Sequence, residues 1–241
     1  MKEDEGRNLN MDILKTLAII GVCYCHYGCF ASDSTDFSLI GCIRIMLRMF
    51  SSCAVPLFFM VNGYFALKKE YSIGMCLEKI KCLSLKTVIW LLLSTFFCAF
   101  ISEGRLLNLR EYFRYVYEWR THGAGHIWYM ITLCIVYLLY PYILMLMKSE
   151  EKNYRRLNKL DLSKIPTWIK RIINSVGQGT LGIFFLHRFS GEIAVLLFSI
   201  LEIDIRNSGL TVGIISTLFT FLLAWGGTVL LKQFRVGKWL V

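Results

Sequence analysis

Six stretches of the chain are apolar for long enough to predict helices that cross a bilayer, and polar segments separate them. The predicted spans lie near 13–30, 45–67, 83–101, 127–147, 180–201 and 210–231. The second has an uncharged core over Met49–Leu67, and the fourth and sixth carry no charge at all. A hydrocarbon core takes about 20 residues of helix, within a range of about 17–25. Backbone amides in lipid must bond within their own segment, so such runs fold as helices. Strand-like alternation is absent, which argues against a barrel. The fold class predicted is all-α: one polytopic membrane domain over residues 1–241, with about six transmembrane helices.

The polar segments add a direction. With the N-terminus placed inside, the arm through Lys15, the loops Lys68–Lys86 and Lys148–Arg171 and the tail Lys232–Lys238 together hold 19 Lys and Arg. The opposite side holds seven, and Arg188 lies within a span. Basic residues accumulate in cytoplasmic loops. The alternation therefore predicts cytoplasmic N- and C-termini in a multi-pass protein of the cell membrane. The segment 148–171 reads as a cytoplasmic linker, with Pro166 near its end. Leu106–Trp119 interleaves charges with Leu, Tyr, Phe and Trp, as an amphipathic helix at the outer interface does. The apolar run after Met1–Asn10 lacks a small-residue cleavage pattern, so it reads as a retained first span rather than a signal.

Composition agrees. Apolar residues make up 56% and charged residues 18% of 241, with a mean hydropathy of +0.53. Soluble chains average about 45–50% and about 25%. The net charge of +10 falls in loops, not along a stripe on a soluble element, so the partner it implies is a lipid bilayer and not nucleic acid. The nine cysteines sit mostly in apolar runs and form no secreted disulfide framework. Cys23, Cys25, His26 and Cys29 spread around one helix and have no matching ligand set elsewhere, so no metal site is predicted.

Ionisable groups inside spans are costly and mark protein interiors or water paths. On the first helix, Lys15 and His26 are eleven positions apart, which brings them within about 20° of one face and about 16 Å along the axis. Asp12 lies at the same entry. This stripe suits an anion met by lysine and a proton handled by histidine. It equally suits a snorkelling lysine and a histidine bonded to a neighbouring helix. His126, Trp128 and Tyr129 open the fourth span and also fit an interfacial aromatic belt. The fifth span carries His187 and an i,i+4 pair, Arg188 and Glu192, which suits an internal ion pair. Gly177-Gln178-Gly179 ahead of it reads as a helix-entry turn.

Four segments in order resemble the acyltransferase-3 family of integral membrane proteins. They are Asn10-Met11-Asp12-Ile13-Leu14-Lys15 leading to His26; Val55-Pro56-Leu57-Phe58-Phe59-Met60-Val61-Asn62-Gly63-Tyr64-Phe65; His126-Ile127-Trp128-Tyr129 with Tyr137-Leu138-Leu139-Tyr140-Pro141; and Gly177 through Leu181-Gly182-Ile183-Phe184-Phe185-Leu186-His187. The family transfers acyl groups, often acetyl, to surface polysaccharides and related acceptors. Its opening helix carries a basic residue, usually Arg, eleven positions before an essential His. The resemblance thus implies His26 and Lys15 as catalytic residues. It also implies acyl-CoA as co-substrate, with no bound cofactor, and a surface glycan or lipid-linked acceptor. Members usually have about ten spans, so this chain resembles a member shortened in the middle, near Lys148–Pro166. The family's Arg-x-x-Arg pair is replaced by Glu78-Lys79-Ile80-Lys81-Cys82, which leaves Lys79 and Lys81 to meet the donor. Asp12, His126, Trp128, Tyr129 and His187 are candidates for acceptor or structural roles.

The expected function is a membrane O-acyltransferase, with His26 as general base on an acceptor hydroxyl. Two readings compete. One is an inactive, shortened relative acting as a non-enzymatic membrane protein. The other is a small proton-coupled transporter using His26 and the Arg188/Glu192 pair, although the inverted repeats such a protein favours are absent.

Overall fold

The computed structural model describes residues 8–28, 38–69, 71–118, 125–147, 165–205 and 209–241. Every regular element among them is helical: α1 Leu9–Tyr27, α2 Leu39–Ser52, α3 Ala54–Lys69, α4 Ile73–Glu103, α5 Leu109–Tyr117, α6 Trp128–Met147 after a short 3-10 turn Gly125–Ile127, α7 Thr167–Ile200, α8 Leu210–Leu231 and α9 Arg235–Leu240. The acidic run Glu3–Glu5, together with Cys29, Trp119 and the linker up to residue 164, lies outside the described residues.

Among the described residues, five stretches are long and apolar enough to cross a membrane: Leu39–Lys68, Ile73–Ile101, Gly125–Leu144, Thr167–Ile200 and Leu210–Leu231. Six had been expected, and the one not among them is α1. Its 19 residues suffice in length. Asn10, Asp12, Lys15 and His26 lower its hydropathy; Asp12 is buried, Lys15 stands over the Phe65 ring and His26 lies against His187. The first of the five is broken inside: α2 stops at Ser52 and α3 restarts at Ala54. Pro56 has no N–H to offer the Ser52 carbonyl four residues back, so the interruption falls there.

Capping fixes several starts. The side chains of Asn8, Ser38 and Ser72 accept from backbone amides of α1, α2 and α4. On α5, Asn108 and Glu111 form a reciprocal capping box. The Arg105 guanidinium donates to both Glu111 oxygens, at 3.0 and 3.3 Å. That contact holds the Glu111 carboxyl below its ordinary range. Tyr112 donates to the Leu92 carbonyl at 2.8 Å and ties this exposed amphipathic helix to α4.

Helix α7 is the centre of the bundle, packed on α1, α4 and α8, while α1 also meets α2, α3 and α8. The core gathers Ile19, Val22, Phe58, Trp90, Met130 and Phe185 from five helices. Leucines such as Leu92, Leu138, Leu218 and Leu222 face outward, as lipid contact requires. Between apolar helices in lipid, close backbone approach and polar contacts drive association. Both occur where α1 meets α7. A Cβ on Gly177 would strike the Asp12 carboxylate, and one on Gly191 would strike the Tyr27 ring. Asp12 to Gly177, His26 to His187 and Tyr27 to Gly191 follow the same order along both helices, so α1 and α7 run parallel. Gly177-Gln178-Gly179 is therefore not the helix-entry turn expected. It lies in the body of α7, where the missing side chains admit Asp12 on one side and Thr228 of α8 on another.

Replacing Gly191 by Ala should drive Tyr27 from its seat, an overpacking that costs about 1–3 kcal/mol. The thermal midpoint of the purified protein in detergent is expected to fall. The same change at Gly63, which has open space around it, serves as control and should leave the midpoint in place. Equal midpoints for the two variants would contradict the packing.

Candidate functional site

Two polar features lie inside the bundle, one above the other along α1. The lower is a cavity of about 270 Å³ between α1, α3, α4, α6 and α7. Lys15 and Lys79 bring charge to it, Asn62 and Gln178 amide groups, and Tyr129 and Phe184 aromatic walls. Lys15 is held from two sides. Its Nζ stands 3.8 Å from the Asp12 carboxylate and 4.6 Å from the centre of the Phe65 ring. Ring contact of this kind is favourable for an ammonium, more so where water is scarce. Asp12 is 2% exposed and fills the notch left by Gly177. Deeper in, Asn62 Nδ2 donates to the Tyr129 hydroxyl at 3.1 Å. The Tyr129 ring packs on Phe59 and Phe184, with centres 4.9 and 5.2 Å apart.

The upper feature is a cluster of three histidines from three elements. His187 of α7 is fully buried. The His26 ring of α1 and the His126 ring of the 3-10 turn each lie 5.1 Å from it, centre to centre. His187 Nδ1 contacts the Phe184 carbonyl. Beside the cluster, Arg188 and Glu192 form an ion pair at 3.1 Å. Tyr27 donates to the Arg188 carbonyl at 3.1 Å and to Glu192 at 3.4 Å.

Phe184 separates the two features. It walls the cavity, and its ring stands 5.6 Å from His126 and 5.8 Å from His187. A molecule entering past the lysines would stop at this ring, one aromatic thickness short of the imidazoles.

A family model described as an acyltransferase domain matches residues 8–157. The chain belongs to the acyltransferase-3 family. It is a membrane acyltransferase by family, and 241 residues suit a shortened member. No curated protein and no solved structure matches it. The match takes in Lys15, His26, Lys79, Lys81, His126, Trp128 and Tyr129 but ends before His187. The fold alone brings the late histidine of this acyltransferase beside the early one.

The expected site residues divide by position. Lys15, Lys79 and Tyr129 line one cavity, and Asp12 supports Lys15. His26, His126 and His187 form the cluster above it. Lys81 is exposed and does not line the cavity, and Trp128 is exposed beside the buried Tyr129. Sequence reasoning gave no role to Asn62, Phe65 or Phe184. Asn62 had a signal, as the sole amide in an apolar run. The two phenylalanines had none, because one aromatic among many in a span does not reveal which cavity it walls.

Phe184→Ala should merge the cavity with the space around the histidines. Truncating a buried Phe costs about 3–5 kcal/mol, so the thermal midpoint is expected to fall well below that of the outward-facing control Leu138→Ala. Matching midpoints would show that Phe184 is not an interior wall.

Proposed function

We propose that this acyltransferase moves an acyl group, acetyl in the usual case, from cytoplasmic acyl-CoA to a hydroxyl of a cell-surface glycan or related acceptor. The six-span arrangement, with α1 as a crossing helix and both termini cytoplasmic in the cell membrane, belongs to the same proposal. The observation that carries it is the cavity holding Lys15 and Lys79, with the His26 cluster beyond its inner wall.

The chemistry needs three things. An anionic donor must be met by fixed positive charge, and Lys15 and Lys79 supply it where Arg is more usual; lysine keeps the charge but loses the bidentate fork. Lys81, exposed on the same helix, adds to the approach field. The thioester must then approach His26, and the cavity between Asn62 and Phe184 brings it as far as the ring in front of the histidines. Finally an acceptor hydroxyl must lose its proton as the ester forms. His26 takes that proton while the acceptor oxygen attacks the acyl carbon. The carbon–sulfur bond breaks, and the CoA thiolate leaves and recovers the proton from the imidazolium. Positioned general bases contribute about 10²–10⁴-fold. His126 borders the acceptor side in this reading, while Tyr129 walls the donor cavity and Trp128 faces outward.

Membranes containing the protein should transfer label from radiolabelled acetyl-CoA to glycan or lipid. His26→Ala should abolish transfer at normal expression. Lys15→Met and Lys79→Met should raise the KM for acetyl-CoA, and Lys15→Arg should retain most of the activity. Full turnover by His26→Ala would remove the base assignment. No transfer by the unaltered protein to any hydroxyl acceptor would leave the non-enzymatic reading.

A further inference from the structure

Proton transfer by His26 alone does not explain why a second imidazole, wholly buried, lies against it. The contact that His187 makes with its own helix answers this. A carbonyl oxygen only accepts, so the ring nitrogen facing the Phe184 carbonyl, Nδ1, is the one that carries the proton. A neutral imidazole protonated at Nδ1 has a bare Nε2, which is an acceptor. That Nε2 is buried and finds no hydrogen-bond partner among the described residues. The rings within reach are His26 on α1 and His126 on the 3-10 turn, each centred 5.1 Å away. The backbone of α7 thus fixes one tautomer of His187 and leaves it a bare, buried acceptor beside two other imidazoles.

We propose that His187 is the positioning residue for His26. Its bare Nε2 is placed to receive the N–H of the His26 ring once that ring turns toward it, and the other His26 nitrogen is thereby left unprotonated and held toward the reacting hydroxyl. This rests on the reading of His26 as the base. When His26 takes the hydroxyl proton it becomes an imidazolium, and the N–H already directed at His187 becomes a charge-assisted bond. His187 itself neither gains nor loses a proton in the cycle. It takes the place that a carboxylate holds behind the histidine of a hydrolase triad, in a neutral form suited to a site inside a membrane.

The geometry of α1 and α7 serves this arrangement. Their parallel contact is pinned below by Asp12 against Gly177 and above by Tyr27 against Gly191. His26 and His187 lie between these two points, so neither ring can slide away without breaking a close helix contact.

The chain has only four histidines, so imidazole nitrogen resonances can be assigned by single substitution. Nitrogen-15 spectra of histidine-labelled protein in lipid nanodiscs, taken without donor, should show His187 protonated at Nδ1 alone. The His26 resonances should move in His187→Leu. A His187 protonated at Nε2, or a response at His126 with His26 unmoved, overturns the proposal. In the transfer assay, His187→Leu should lower kcat about tenfold to a hundredfold with the KM for acetyl-CoA unchanged. His187→Gln, which keeps a neutral acceptor, should recover most of it. Loss in which Gln fares no better than Leu, or full activity in both, also overturns it. If the unaltered protein transfers nothing, the acyltransfer reading fails while the spectra still decide the tautomer and its partner.

Discussion

The close parallel contact of α1 with α7 is the constraint on which the rest of this structure depends. In lipid there is no water to drive apolar surfaces together, so helices associate through near backbones and through polar groups that find each other. The glycines of α7 supply the first, and Asp12 and Tyr27 of α1 supply much of the second. Seating those two side chains fixes the rotation of α1 about its axis. That rotation brings Lys15 to a cavity and His26 to a second imidazole. Turned to the other face, α1 would present a lysine and a histidine to hydrocarbon, which insertion scales penalise by about 2.5–3.5 kcal/mol for a charge at the centre of a helix.

The same constraint explains how a short chain keeps two separate polar compartments. Lys15 is balanced by a buried carboxylate and an aromatic face, so a cation sits in the bundle with its counter-charges already in place. The histidines lie further along, and Glu192 beside them is taken up by Arg188 and Tyr27. One phenyl ring divides the lysine compartment from the imidazoles.

Much of this was legible in the residues. The helical membrane class followed from apolar runs, and the shared face of Lys15 and His26 followed from their spacing. The family resemblance, read from short segments, agrees with the family match. What the sequence concealed has physical reasons. The polar residues that make α1 important also remove it from the helices apolar enough to span by composition. Gly177 looked like a turn because glycine serves turns and close helix contacts alike, and only the seat of Asp12 distinguishes them. Trp128 and Tyr129 are neighbours in sequence, yet one faces out and the other lines the cavity. The convergence of His26, His126 and His187 joins positions up to 161 residues apart, the same separation as in the adjoining Tyr27–Arg188 bond; no local pattern encodes such a meeting.

The central claim is that the polar face of α1 turns toward α7 with His26 against His187. It is tested most directly by placing cysteines at 26 and 187 in a background with the native cysteines replaced by Ser or Ala, in native membranes. A short thiol-to-thiol cross-linker should then join the two positions, as read by mass spectrometry of the digested chain. The pair at 17 and 187, with Leu17 on the outward face, should stay unjoined. Cross-linking from 17 and none from 26 would mean that α1 is rotated away, and the account of the site would be wrong.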